Sequence, residues 1–186
     1  MLRAADPLAR PHRVAVAGVS GVGKSTLARR IADVAGLPYT EIDVLYHGPN
    51  WVPREGFVDD VERFTSRPRW VTEWQYRSVR AILSTRADTL VWLDLPSAVA
   101  ISRVVHRTIT RSRTRVELWN GNTEPGLWHA LSNREGIIRW ALKHQRSYRR
   151  TVPITSKQHP HLQVVRLRSQ SEVDAWLAGP LASVCG

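Results

Sequence analysis

The stretch Gly18-Val-Ser-Gly-Val-Gly-Lys-Ser-Thr26 fits the pattern G-x-x-x-x-G-K-[ST] from Gly18 to Ser25. That spacing has a chemistry. Glycines let successive backbone N–H groups turn inward around an anion, and a helix starting at the lysine adds the partial positive charge of its N-terminus. Lys24 is placed to reach the β- and γ-phosphates of a nucleoside triphosphate, and the Ser25 hydroxyl to hold Mg²⁺. Gly18, Ser20, Gly21, Val22, Gly23, Lys24, Ser25 and Thr26 are therefore the expected nucleotide-binding residues, with ATP and Mg²⁺ as cofactors.

A phosphate loop needs a strand before it and a helix after it, and both are legible. Arg13-Val-Ala-Val-Ala17 is short, apolar and β-branched, as a buried strand should be. Residues 25–35 place Leu27, Ile31 and Val34 on one helical face, closed by Gly36. Further along, Leu37 to Asp43 reads as a second strand, Arg69 to Thr72 as a third, Thr89 to Leu95 as a fourth stopped by Pro96, and Leu162 to Leu167 as a fifth. Helical patterns fill the gaps: Pro53 to Ser66, Gln75 to Thr85, Ser97 to Thr110 with Ser97 as N-cap, and Trp128 to Arg150. A closing helix opens on Ser171-Glu-Val-Asp174, which has capping-box spacing. Strands alternating with helices imply an α/β fold with a parallel sheet. We expect residues 1–12 to be a loose tail and 13–186 a single domain.

Two acids follow from that layout. In parallel sheets ligands bind at the carboxyl ends of strands, where Asp43 and Glu73 fall. Mg²⁺ takes hard oxygen ligands and keeps several waters, so Ser25 with Glu73 would suffice, Asp43 being a candidate second acid. Asp94 precedes Pro96 and is expected to cap the next helix. Arg103 and Arg107 lie one turn apart, and Arg111, Arg113 and Arg115 crowd a basic stretch over residues 111–125, read as a lid. Arginines from such a lid would exclude water and complete the site late. Trp92 and Trp176 read as core. Tyr46, His47, Trp51, Trp74 and Tyr76 cluster after the second and third strands, where they would either stack on an acceptor or build a small subdomain core.

Composition bounds the rest. Of the 186 residues, 42% are hydrophobic and 23% charged, ordinary for a soluble globular domain. No apolar run approaches the roughly 20 residues a membrane span needs. The first residues lack the apolar centre of a signal peptide, and a single cysteine, Cys185, allows no internal disulfide or zinc knuckle. The cytoplasm is the expected compartment. A net charge of +11 fits either nucleic acid or polyphosphate substrates, because guanidinium groups bind phosphate bidentately. The arginines are spread along the chain without a recognisable DNA-reading motif, so a nucleic-acid partner is not favoured.

With the acidic-ended strands, the arginine-rich helix and the basic lid in place, the chain resembles the nucleoside monophosphate kinase group, which includes the adenylate kinases and the shikimate- and gluconate-kinase-like enzymes. Within it, Glu41 to Trp51, Trp70 to Tyr76 and Trp92 to Pro96 are similar to DNA topology modulation (FlaR-like) proteins, adenylate-kinase-related ATPases. The resemblance implies a three-layer P-loop fold with five parallel strands in the order 2-3-1-4-5, helices on both faces, an acceptor-side insertion over 44–68 and a lid over 111–125. It also implies site roles. Glu73-Trp-Gln-Tyr-Arg77 stands where adenylate kinases have Asp-Gly-Phe-Pro-Arg, which gives Glu73 a metal role and Arg77 a grip on an acceptor phosphate. Arg103, Arg107 and Arg111 would neutralise the transferring phosphate, Trp51, Tyr76, Arg113 and Arg134 would border the acceptor, and Arg168 would pack the adenine. Asp43 matches the acid that binds an acceptor hydroxyl in shikimate-type kinases. The resemblance implies an ATP-dependent phosphotransferase acting on a nucleoside monophosphate or a hydroxyl metabolite; the alternative is a nucleic-acid-interacting ATPase, with a toxin-type metabolite kinase as a third reading.

Overall fold

The computed structural model describes residues 1–103, 106 and 134–186. Four parallel strands form the central sheet: β1 (Arg13–Gly18), β2 (Trp70–Glu73), β3 (Thr89–Leu93) and β4 (Gln163–Leu167), in the order β2-β1-β3-β4. Their near-continuous apolar runs are what burial on both faces demands, and β1 beyond Arg13, β2 and β3 are buried throughout. Helix α1 (Lys24–Ala35) follows β1, and the short α2 (Ile42–Tyr46), a 3₁₀ turn (Pro49–Trp51) and α3 (Phe57–Thr65) precede β2. Then come α4 (Arg77–Arg86), helical residues 97–103 (α5), α6 (Arg134–Gln158) and α7 (Gln170–Trp176). A π turn (Leu177–Leu181) and α8 (Ala182–Cys185) finish the chain. The C-terminal helical segments pack with α1 on one face of the sheet, and α4 and α6 lie against β1 on the other.

The α/β fold expected from the sequence is observed, with four strands in place of five. The expected second strand shrinks to one parallel bridge, Tyr39 to Val71, made by Val71 N–H to Pro38 O at 2.8 Å and Thr40 N–H to Val71 O at 2.9 Å. Beyond it the Ile42 amide donates to the buried Glu73 carboxylate at 3.1 Å, and the chain coils into α2. Asp43 therefore sits on a helix and not at a strand end. Residues 1–12, expected to be loose, are tied to the sheet: Leu2 N–H donates to Val164 O at 2.7 Å and Arg166 N–H to Leu2 O at 2.9 Å, and Leu8 is buried.

Capping also departs from expectation. The α7 cap is Ser169, whose hydroxyl accepts the Glu172 amide at 3.1 Å while Glu172 Oε2 accepts the Arg168 amide at 2.7 Å. The same serine-to-glutamate spacing starts two residues before the stretch singled out in the sequence. Ser97 gives its hydroxyl proton to Gln145 Oε1. Asp94 caps nothing. It is a buried carboxylate holding Arg149 Nε at 3.0 Å and Arg166 Nε at 3.0 Å, with the Arg166 guanidinium 4.6 Å from the Trp92 ring centroid. This ties α6 to the ends of β3 and β4, the edge on which a site would lie.

Asp94→Ala removes both ion pairs at once. The Arg149 and Arg166 side chains keep 53% and 28% of their exposure, so water can rehydrate them and the cost stays below that of a fully buried pair. We expect a loss of about 1–3 kcal/mol, seen as a lower urea midpoint with unchanged slope. An unchanged midpoint would show that α6 is held by apolar packing alone.

Candidate active site at the glycine-rich loop

The loop joining β1 to α1 forms one wall of a cleft of about 500 Å³. Two close approaches require glycine there. A Cβ on Gly18 would fall 2.8 Å from Val22 Cγ1 and 3.1 Å from Leu93 O, so only glycine lets β1 turn under the loop beside β3. Gly23 is the N-cap of α1 at φ +105°, a conformation that strains any L side chain, and a Cβ there would meet Arg103 Nη1 at 3.0 Å. Ser20 to Leu27 line the cleft with their backbone and side chains. Lys24 is nearly buried, and its ammonium donates to Val19 O at 3.3 Å, which holds it along the loop.

Arg103 reaches across from α5, donating to Val22 O at 2.6 Å and to Gln170 Oε1 at 2.8 Å. Both partners are neutral, so its charge is offered to the cleft. The opposite wall carries Glu41, Asp43 and Gln75. Glu41 pairs with Arg29 at 2.8 Å, and Arg30 pairs with Asp174 at 2.7 Å, where the exposed Asp174 carboxyl is held below its usual range by that bond. Asp43 has neutral partners only: Gln75 Nε2 at 2.7 Å and the Tyr76 hydroxyl at 2.6 Å, both on Oδ1. Among the described residues, the cleft thus carries the Arg103 charge and, at Asp43, a carboxylate bonded to neutral groups.

Several expected site residues lie elsewhere. Glu73 is 2% exposed and is not among the cleft residues. Its Oε1 accepts the Tyr39 hydroxyl at 2.5 Å and its Oε2 the Ile42 amide, so it places α2 and through it Asp43. Of the two residues expected to hold Mg²⁺, only Ser25 lines the cleft. Arg77 begins α4 and is exposed away from it. Arg168 is exposed and its backbone serves the α7 cap. Trp51 and Tyr76 belong to a ring cluster behind Asp43: Tyr46 stacks on Tyr76 at 3.8 Å, and His47 meets Trp51 edge-on at 5.0 Å. Trp74 leaves that group for the core, bonding Ser84 at 2.9 Å with Arg80 over its ring. Arg107, Arg111, Arg113 and Arg115, the lid, and the Arg134 side chain lie outside the described residues. Arg29, Arg30, Glu41, Gln75 and Gln170 entered the cleft unannounced, although Gln75 directly precedes Tyr76 in a stretch already singled out.

Among the described residues no group of three or more His, Cys, Asp or Glu could hold a metal, and no helix is long and apolar enough to cross a membrane. No family model matches the sequence, and no curated protein matches it. Solved structures do share its architecture. A gluconokinase from Sinorhizobium meliloti 1021 aligns over 96% of this chain and 95% of its own, with TM-score 0.55 and 23% identity. A sugar kinase from Janibacter sp. HTCC2649, in an unliganded structure, aligns over 96% and 99%, with TM-score 0.50 and 19% identity. The chain shares the fold of these two structures, with the glycine-rich loop between β1 and α1.

Two half-buried tyrosines make stability depend on alkaline pH. Burial first, then the Glu73 charge and hydrogen bond, push Tyr39 well above its ordinary value of 10.0, and burial with Asp43 does the same to Tyr76. Below that value both folded and unfolded chains keep these protons, and the full stability is present. Above it the unfolded chain releases them while the folded chain does not, so stability falls as pH rises. Urea unfolding at about pH 8 and about pH 10.5 should show a steeper loss for the wild type than for Tyr39→Phe. Equal losses would mean that Tyr39 is not held protonated against Glu73.

Proposed function

We propose that this protein is an ATP-dependent phosphotransferase that moves the γ-phosphate to a hydroxyl group of a small metabolite. The observation that carries this reading is the placement of Asp43, which lines the same cleft as the glycine-rich loop and, among the described residues, has no cation beside it. That the two structural neighbours are a gluconokinase and a sugar kinase supports the reaction class. Arg77, the residue that would favour a phosphorylated acceptor, stands outside the cleft. A phosphate brought to within 4 Å of Asp43 would be repelled by about 4 kcal/mol at an effective dielectric near 20, enough to bias selection strongly toward hydroxyl acceptors.

The residues divide the work. The Ser20–Thr26 backbone and Lys24 hold the phosphates, and Arg103 neutralises charge on the transferring group, since phosphoryl transfer depends on positioning and charge neutralisation. Ser25 would supply a hydroxyl to Mg²⁺, which would add positive charge beside the triphosphate. Asp43 takes the proton of the acceptor hydroxyl as that oxygen bonds the γ-phosphorus and the bond to the bridging oxygen breaks, leaving ADP. Residues 13–186 act as one catalytic unit, with 44–68 on the acceptor side and 111–125 as the lid.

The test is ADP release with Mg²⁺-ATP and a panel of neutral sugars and polyols, D-gluconate, aminoglycosides and nucleoside monophosphates. We expect a hydroxyl compound to be phosphorylated. Asp43→Asn should cut kcat by about 10²–10⁴ while ATP binding persists, and Lys24→Ala should weaken ATP binding itself. Transfer confined to monophosphates would refute the hydroxyl assignment. ATP hydrolysis stimulated by DNA, with no acceptor above background, would replace the kinase reading by that of a nucleic-acid ATPase.

A further inference from the structure

Asp43 is the end of a chain of hydrogen bonds. The Tyr76 hydroxyl that donates to Asp43 Oδ1 also lies 3.1 Å from His47 Nε2. A phenol has one proton, and here it goes to a carboxylate, which can only accept. The proton between Tyr76 and His47 must therefore come from His47 Nε2. The direction of the chain is set: His47 Nε2–H to Tyr76 O–H to Asp43 Oδ1. Gln75 Nε2 adds a second donor to the same oxygen, and Oδ2 carries no bond among the described residues.

Local structure shows why these residues meet. Asp43 and His47 are four apart on α2 and its C-cap, hence on one face. Gln75 and Tyr76 follow β2 directly. Tyr76 is held at φ +57°, ψ 120°, which for a tyrosine costs about 1–3 kcal/mol and persists only where the surroundings over-determine it. Those surroundings are the stacked Tyr46 ring, an edge-on Phe57 at 5.3 Å, and the two hydrogen bonds of the hydroxyl. The strained backbone is what brings the Tyr76 hydroxyl to Asp43.

We propose that Tyr76 and His47 are positioning residues for Asp43, holding its Oδ1 so that Oδ2 is presented to the acceptor hydroxyl in the cleft. This rests on the phosphotransferase reading above. When Oδ2 takes the acceptor's proton, Oδ1 becomes the carbonyl oxygen of the acid and still accepts from Tyr76 and Gln75. The hold therefore persists through the transfer, with no proton passed along the chain.

Two readouts test it. In two-bond ¹H–¹⁵N spectra of the full chain, with His47 assigned among the seven histidines by its loss in His47→Gln, we expect Nε2 to carry the ring proton. Tyr76→Phe should abolish that preference. In the acceptor assay, with the strongest acceptor of the panel above, Tyr76→Phe and His47→Leu should lower kcat about tenfold or more with KM for ATP unchanged. His47→Gln, which restores an N–H donor near Nε2, should recover most of what His47→Leu loses. A wild-type ring protonated on Nδ1, or full kcat in Tyr76→Phe, overturns the proposal. The two readings fail separately. Transfer that is indifferent to Tyr76→Phe removes the positioning role and leaves the kinase. A tautomer fixed by Tyr76 in a protein that phosphorylates nothing removes the kinase and leaves the hold on Asp43.

Discussion

A buried carboxylate at the end of β2 organises the working half of this molecule. Glu73 is nearly inaccessible to water, and an unmet carboxylate there would be costly. Its two oxygens take the Tyr39 hydroxyl and the first amide of α2, and each bond has a consequence. The first holds the segment beside β2 in place. The second stops that segment from continuing as a strand and starts a helix. Because α2 begins at Ile42, Asp43 follows one residue later and faces the loop across the cleft. A metal-binding acid would have to leave its oxygens open; Glu73 has committed them to structure.

The charge of the cleft follows from which arginines find partners. Arg29 and Arg30 border it, but Glu41 and Asp174 neutralise them. Arg103 contacts carbonyl and amide oxygens, which orient a cation without cancelling it. The net basicity of the chain is therefore distributed: part is consumed in surface pairs of small energetic value, part ties α6 to the sheet through Asp94, and part is presented to the loop. Across the cleft, Asp43 has an amide and a phenol as neighbours. That asymmetry, cationic on one side and anionic on the other, suits a triphosphate facing an uncharged or cationic acceptor.

The aromatic residues between α2 and α4 support that arrangement from behind. Tyr46, Phe57 and Tyr76 make mutual ring contacts, with His47 at one edge. Their packing stabilises a backbone conformation that tyrosine would otherwise avoid, and the Tyr76 hydroxyl emerges toward Asp43. Trp74, two residues before Tyr76, leaves this group because its indole N–H donates to Ser84 of α4. It packs under α4 with Arg80 and Tyr148.

The glycine-rich loop, its flanking strand and helix and the parallel sheet were all determined by the sequence alone. Each rests on local chemistry: a fixed spacing of glycines and lysine, apolar runs of strand length, and a helical period. The fate of the two acids was not local. Asp43 and Glu73 each follow an apolar run in the same way, and nothing within either segment says which will be buried and bonded and which will face the cleft. That is decided by residues 30 or more positions apart, when Glu73 meets Tyr39 and the Ile42 amide. The caps show the same limit on a smaller scale, since Ser169 and Ser171 both begin plausible turns and only the placement of Glu172 selects the first. The sequence determined that a glycine-rich loop joins the first strand to the first helix. The tertiary structure decided which carboxylate looks at it, because burial and hydrogen-bond partners are properties of the packed chain.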